Sequence, residues 1–315
     1  MVDLPRLGMG TAALGNLYRA ISDEQAEAAV AAALAGGIRY FDTAPHYGFG
    51  LAEERLGRAL GGRSDVIVST KVGRLLKPVE KPTLERHGFV DARPFEPVFD
   101  YSADAVLRSL DDSLARLRRD RIDILFAHDI GQLTHGDRHE ERLREFIDEG
   151  YPAMRRLRDD GRVDAIGIGV NEVAVCLDLI ERIDLDLILL AGRYTLLDRS
   201  AADRLLPACV ARGVKVVIGG PYNSGILARP IAEGACFDYA PASDAVLSRA
   251  RGLQATCDRF DVSLPAAALQ FPLRHPGVAS VIPGMASAAE VADTLARFAA
   301  PVSDALWPAV AEIPA

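Results

Sequence analysis

Asp42, Lys71, His128 and Asn171 each stand at the end of a short run rich in Val, Ile and Leu, or one or two residues past it. A strand buried on both faces would be expected to read as apolar there. Tyr47 follows Asp42 on a short loop and can turn back over the same opening. A carboxylate, an ammonium, an imidazole and a phenol suit proton transfer at a carbonyl or hydroxyl carbon. A phenol with a pKa of about 10 is a poor acid or base at neutrality. A buried ammonium beside it stabilises the phenolate and lowers that value. Asp42 would keep Lys71 charged, and the imidazole of His128 would donate to the substrate oxygen while Tyr47 exchanges the proton. The hydride in such a reaction must come from or go to a nicotinamide, because no side chain supplies one.

Those strand ends can meet only if the strands lie side by side. Candidate strands run over residues 7–11, 39–42, 66–70, 122–127, 165–169, 187–190, 215–218 and 280–282, and segments of helical period fill the gaps between them. Ser22 with Gln25 opens a helix over 22–35 as a capping box, and Gly36-Gly37 closes it. Further helices are expected over 52–60, 103–117, 149–160, 172–182, 201–212, 244–260 and 288–298, with an additional piece at 263–273. This alternation predicts an α/β fold, a (β/α)8 TIM barrel occupying residues 1–315 as one domain. Three long irregular stretches, at about 74–100, 129–148 and 221–243, each follow a strand. They are expected to rise on the C-terminal face, where barrels place their sites.

The bulk composition excludes several classes. A net charge of −8 lacks the clustered basic excess that nucleic-acid phosphates require. The start carries no signal-like apolar core, and no window is apolar enough to span a bilayer, so a cytoplasmic protein with no membrane partner is expected. Cys176, Cys209, Cys236 and Cys257 show no paired spacing and read as buried thiols, with no metal site.

The segments FDTAPHYG (41–48) and STKVG (69–73), with the strand-end His128, resemble the Asp-Tyr-Lys-His tetrad of the aldo-keto reductases. Stretches 99–129, 189–200 and 278–285 are similar to a bacterial group of sugar (D-threo-aldose, L-fucose) and pyridoxal dehydrogenases within that superfamily. His46, next to Tyr47, reads either as a residue lining the substrate pocket or as a loop histidine with a local hydrogen bond. The resemblance implies Tyr47 as general acid/base, Lys71 and Asp42 as its tuning pair, and His128 as the substrate-orienting group. It implies a nicotinamide site involving Gly10, Thr11, Asn171, Gly220, Pro221, Tyr222, Asn223 and Gly225. The adenosine-phosphate end falls at Pro283, Gly284, Met285, Ser287 and Glu290. Where relatives carry a Ser beside the Asn, a Gln and an aromatic platform, this chain has Val170, Ala191 and Gly220-Pro221. Tyr222 or Arg193 is left to replace the platform.

Glu290 would repel a 2'-phosphate and accept from a free ribose hydroxyl, which implies NAD over NADP; with Ser287 it also reads as a capping box. The expected reaction is oxidation of a sugar hemiacetal, or of pyridoxal, to a lactone. An NADPH-dependent reductase of small aldehydes or ketones stays open, as does a non-catalytic barrel acting as an interaction subunit. His87, His135 and His139 read as surface residues, and Trp307 as a tail residue under the barrel or at the pocket. Oligomeric state is open.

Overall fold

The computed structural model describes residues 2–238 and 240–313. Eight strands form one sheet: β1 (Met9–Gly10), β2 (Tyr40–Asp42), β3 (Ile67–Val72), β4 (Ile124–His128), β5 (Ala165–Val170), β6 (Leu187–Ala191), β7 (Lys215–Gly219) and β8 (Val278–Ile282). They pair in that order, each parallel to the next. Bridges from Leu7 to Val281 and from Gly10 to Gly284 bring the first strand against the last and round the sheet into a barrel. Around it run α1 (Asp23–Ala35), α2 (Leu51–Leu60), α3 (Ala103–Leu117), α4 (Tyr151–Asp159), α5 (Val173–Arg182), α6 (Leu205–Arg212), α7 (Asp244–Arg259) and α8 (Ala288–Ala299). The expected (β/α)8 architecture is present.

Strand side chains alternate between the two faces of a sheet. Tyr40, Phe126, Leu189, Val217 and Ile282 form one buried cluster inside the barrel. Their neighbours Phe41, Leu125, Ile188, Val216 and Val281 belong to another, shared with Val30, Leu56 and Leu110 of the helices. Asp42 and His128 each lie two residues after an inward aromatic, so they inherit the inward direction. Ser22 caps α1 as expected, accepting from the Gln25 N–H at 3.2 Å while Gln25 Oε1 accepts from the Ser22 N–H at 3.0 Å.

The long stretches are more ordered than expected. Arg74–Pro78 pairs with Phe95–Phe99 and Glu85–Arg86 with Phe89–Val90, as two antiparallel hairpins. Pro78 and Pro97 argue against strands in the sequence, but each strand here has a single partner and its other edge needs no N–H. Residues 132–135 and 139–145 are helical, and a π turn, Phe146–Gly150, leads straight into α4. That turn absorbs Pro152, which has no N–H to donate, so the helix does not start at Glu149 as expected. α6 starts at Leu205 rather than Ala201, whose N–H is bonded to the Arg193 carbonyl. Residues 221–243 are mostly turns, with one short ladder, Cys236–Phe237 against Ala240–Pro241.

Cys176, Cys209 and Cys257 are buried free thiols; Cys236 is exposed, contrary to expectation, because it lies on that last loop. Trp307 packs on Phe271 and under the Arg274 guanidinium, just before β8 begins, and so belongs to the underside of the barrel. No helix among the described residues is long and apolar enough to cross a membrane, and no group of His, Cys, Asp and Glu among them could hold a metal ion.

Candidate active site

Register brings the strand ends together. Asp42 faces Ser69 across β2 and β3, Lys71 faces Phe126 across β3 and β4, and His128 faces Gly169 across β4 and β5. Lys71 Nζ donates to Asp42 Oδ2 at 2.7 Å and to the Thr43 carbonyl at 2.8 Å. Asp42 Oδ1 accepts from the Ser69 hydroxyl at 2.7 Å. Lys71 is 1% exposed and Asp42 2%, so this pair has no solvent to share its charge with. Gly169 leaves room for it, since a Cβ there would lie 3.3 Å from Lys71 Cε.

Tyr47 reaches the same opening because two backbones touch. A Cβ on Gly15 would lie 2.5 Å from the Tyr47 carbonyl carbon, and one on Gly48, at φ 63°, would lie 2.4 Å from the Gly15 oxygen. Only glycine permits that approach and that dihedral together. The Tyr47 ring centre consequently lies 4.7 Å from Lys71 Nζ and meets the His128 ring edge-on at 6.0 Å. His46 also meets His128 edge-on at 6.0 Å, against Phe89.

Burial pushes the pKa of His128 well below the usual histidine value, with Arg74 and Lys71 adding to the effect. Burial and Arg74 do the same to His46. Both imidazoles are therefore neutral near pH 7, each with one donor and one acceptor nitrogen; the Nδ1 atoms of both are buried without a partner among the described residues. Tyr47 departs from expectation. Burial, reinforced by Asp42 and Asp129, holds its phenol well above the usual value. The hydrogen bonds of Lys71 run to Asp42 and Thr43, and the Asp42 carboxylate offsets its charge at the phenol.

A buried ion pair, a neutral imidazole and a protonated phenol around one opening form a set for exchanging a proton with an oxygen. Residues 6–314 match the Aldo/keto reductase family. The chain belongs to that family. This aldo/keto reductase is an oxidoreductase, and it is 42% identical to pyridoxal 4-dehydrogenase of Microbacterium luteolum over 96% of its own length and 91% of the relative's. It is 39% identical to D-threo-aldose 1-dehydrogenase of a Pseudomonas species, over 98% and 94% of the two chains. An aldo-keto reductase of Bacillus halodurans, solved in its holo form, matches with a TM-score of 0.77 at 27% identity, over 98% and 92% of the chains.

The ends of β5, β6 and β7 beside the tetrad are built largely from backbone. The Asn171 carboxamide is bonded by no described residue, while its carbonyl accepts from Arg193 Nε at 2.5 Å. Asn223 donates from Nδ2 to the Gly192 carbonyl at 3.2 Å and leaves a buried Oδ1 without a partner among the described residues. Ala191-Gly192 and Gly219-Gly220 end β6 and β7 with almost no side chain between them. A free carboxamide and an orphaned acceptor beside a floor of glycines fit a nicotinamide. Neither expected platform lies free. Tyr222 is turned to α8, its ring 5.8 Å from the Arg297 guanidinium. Arg193 is tied to Asn171, to Asp198 at 3.2 Å and to Asp238 at 2.8 Å.

Several residues expected at the coenzyme are also engaged within the chain. Both the N–H and the hydroxyl of Thr11 go to the Asp42 carbonyl, so Thr11 positions the tetrad. Met285 is a core side chain. Ser287 caps α8, accepting from the Glu290 N–H at 3.2 Å. The Glu290 carboxylate accepts from the Ala286 N–H at 2.7 Å and pairs with Arg19 at 2.8 Å. Gly10 is bonded to the Pro283 carbonyl and bridged to Gly284. Pro221 is buried, and Gly225 takes φ 96° in the turn after Asn223.

His87 is exposed, as expected, and meets Glu96. His135 is not a surface residue. It is half-buried against Phe99 with Nε2 3.0 Å from the Tyr101 hydroxyl, and burial lowers its pKa to about 4. His139 is half-buried too, with Nδ1 unpaired among the described residues. Arg74 and Asp129 were missed. Their only sequence signal is position, three residues after Lys71 and directly after His128.

Proposed function

We propose that this aldo/keto reductase oxidises a small hemiacetal, of an aldose of the L-fucose or D-threo-aldose type or of pyridoxal, to a lactone with NAD in preference to NADP. The observation that carries the reading is the meeting of Asp42, Tyr47, Lys71 and His128 at the strand ends, with the Asn171 carboxamide, past the end of the adjoining β5, bonded by no described residue. The activities for which the two relatives are named support the substrate class. The enzyme in this reading is cytoplasmic and a single domain.

Asn171 would hold the nicotinamide carboxamide, Gly220 to Gly225 would border the ring and its ribose, and Gly10 with Pro283 to Glu290 would border the rest of the dinucleotide. When bound, the coenzyme supplies the acceptor for the hydride. His128, neutral and buried, donates to the substrate oxygen and orients it. Tyr47, as phenolate, removes the hydroxyl proton as the C–H bond gives up its electron pair. Lys71, bonded to Asp42 and 4.7 Å from the Tyr47 ring centre, offsets the phenolate charge. In the reverse direction Tyr47 returns its proton to the carbonyl oxygen.

A second reading, an NADPH-dependent reductase of small aldehydes or ketones, is favoured by the raised pKa of Tyr47, which keeps it a proton donor. The test is steady-state kinetics with NAD and NADP against L-fucose, D-arabinose, L-galactose and pyridoxal, with lactone trapped as the hydroxamate. Lactone formation with a higher kcat/KM for NAD supports the first reading. Turnover confined to carbonyl reduction supports the second, and coenzyme binding without turnover on either side overturns both.

A further inference from the structure

We propose that Arg74 and Asp129 form a substrate-reading pair beside the tetrad, selecting substrates that carry a hydroxyl on the carbon next to the reacting one. The inference deepens the reading above and rests on the tetrad as the reacting centre.

Asp129 follows His128 at the mouth of β4. Its N–H continues the ladder to the Gly169 carbonyl, and φ 49° turns the residue out of the strand. That left-handed conformation is uncommon away from glycine. It sets Asp129 Oδ2 3.5 Å from His128 Nε2. The same oxygen accepts from Arg74 Nη2, while Oδ1 takes no hydrogen bond from a described residue. Arg74 begins the hairpin after β3 and lays its guanidinium over the Phe99 ring at 4.7 Å. Its Nε is buried and without a partner among the described residues. The charges of both residues reach Tyr47, and that of Arg74 also reaches His46 and His128.

A salt bridge that only fastened the hairpin would be expected to satisfy its own atoms, because an unmade hydrogen bond on a buried charged group is costly. Here the guanidinium Nε stays buried without a partner among the described residues, and Asp129 Oδ1, open to solvent, is left free to accept, next to the imidazole that orients the reacting oxygen. A hydroxyl is the group that donates and accepts at once. Placed beside the reacting carbon, it can give its proton to Asp129 and accept from Arg74. The pair then favours vicinal diols, as in a cyclic aldose with its 2-hydroxyl, over deoxy or purely apolar carbonyl compounds.

The test compares D-arabinose with 2-deoxy-D-ribose, which lacks only that hydroxyl, in the wild type, Asp129→Asn and Arg74→Gln. Wild-type kcat/KM is expected to favour the hydroxylated sugar by at least about tenfold, and both variants are expected to bring that ratio within about threefold. Coenzyme binding, followed by fluorescence, reports that each variant is folded. An unchanged ratio in a folded variant, or a wild type without the preference, overturns the proposal; so does an equal loss on both sugars. If the wild type oxidises no aldose, the aldose arm of the functional reading above fails on its own. The pair is then read in reduction of lactaldehyde against propanal with NADPH, under the same criteria.

Discussion

The ammonium of Lys71 lies 4.7 Å from the centre of the Tyr47 ring, yet its two hydrogen bonds run to Asp42 and the Thr43 carbonyl. The phenol is therefore near a cation that is already paired, and burial raises its pKa. A base with a raised pKa must lose a proton before it can act. Oxidation is expected to accelerate as pH rises on the alkaline side, whereas reduction falls. Tyr47→Phe should lower the rate by at least about 10²-fold and remove the alkaline rise. Near-wild-type turnover in Tyr47→Phe would falsify the assignment of the proton path.

The Lys71–Asp42 pair is buried at both ends, so removing one partner strands the other charge. Lys71→Met is expected to cost about 3–5 kcal/mol in stability, read as a fall in urea midpoint. The double variant Asp42→Asn with Lys71→Met should regain most of that stability while remaining inactive. Recovery of turnover along with stability would mean that the pair is structural only.

Glu290 joins Arg19 of the first loop to the start of α8. Under the NAD reading its carboxylate repels a 2'-phosphate, and Arg19 is the cation that such a phosphate would seek. Glu290→Ala should raise kcat/KM for NADP relative to NAD by about tenfold, in the range of a charge-assisted contact. Tighter NADPH than NADH binding in the wild type overturns the preference.

His128 gives stability a pH dependence of known sign. Its folded pKa is depressed, so below pH of about 6.5 the unfolded chain takes up a proton that the folded chain does not. Stability is fully present above that pH and is lost as pH falls, by about 1.4 kcal/mol per unit for this one group. Between pH 6.5 and 5.5, where the unfolded histidine is still only partly protonated, denaturant titrations should show a loss that His128→Gln reduces by about 1 kcal/mol. Buried carboxylates with raised pKa values, Asp42 among them, act in the opposite sense, so the comparison between proteins is the measurement that isolates the histidine.

Strand and helix periodicity is local, and residues 2 apart along a strand share a face. That is why the eight strands, the capping box at Ser22 and the placing of Asp42, Lys71 and His128 at neighbouring strand ends are legible in the sequence itself. The Gly15–Gly48 contact, the turning of Asp129 toward Arg74 and the capture of Glu290 by Arg19 were not, because each joins loops whose course depends on distant packing. The same holds for electrostatics. Sequence alone named the acid, the amine, the imidazole and the phenol; burial and the pairing of Lys71 with Asp42 decided that the phenol rests protonated and the imidazole neutral.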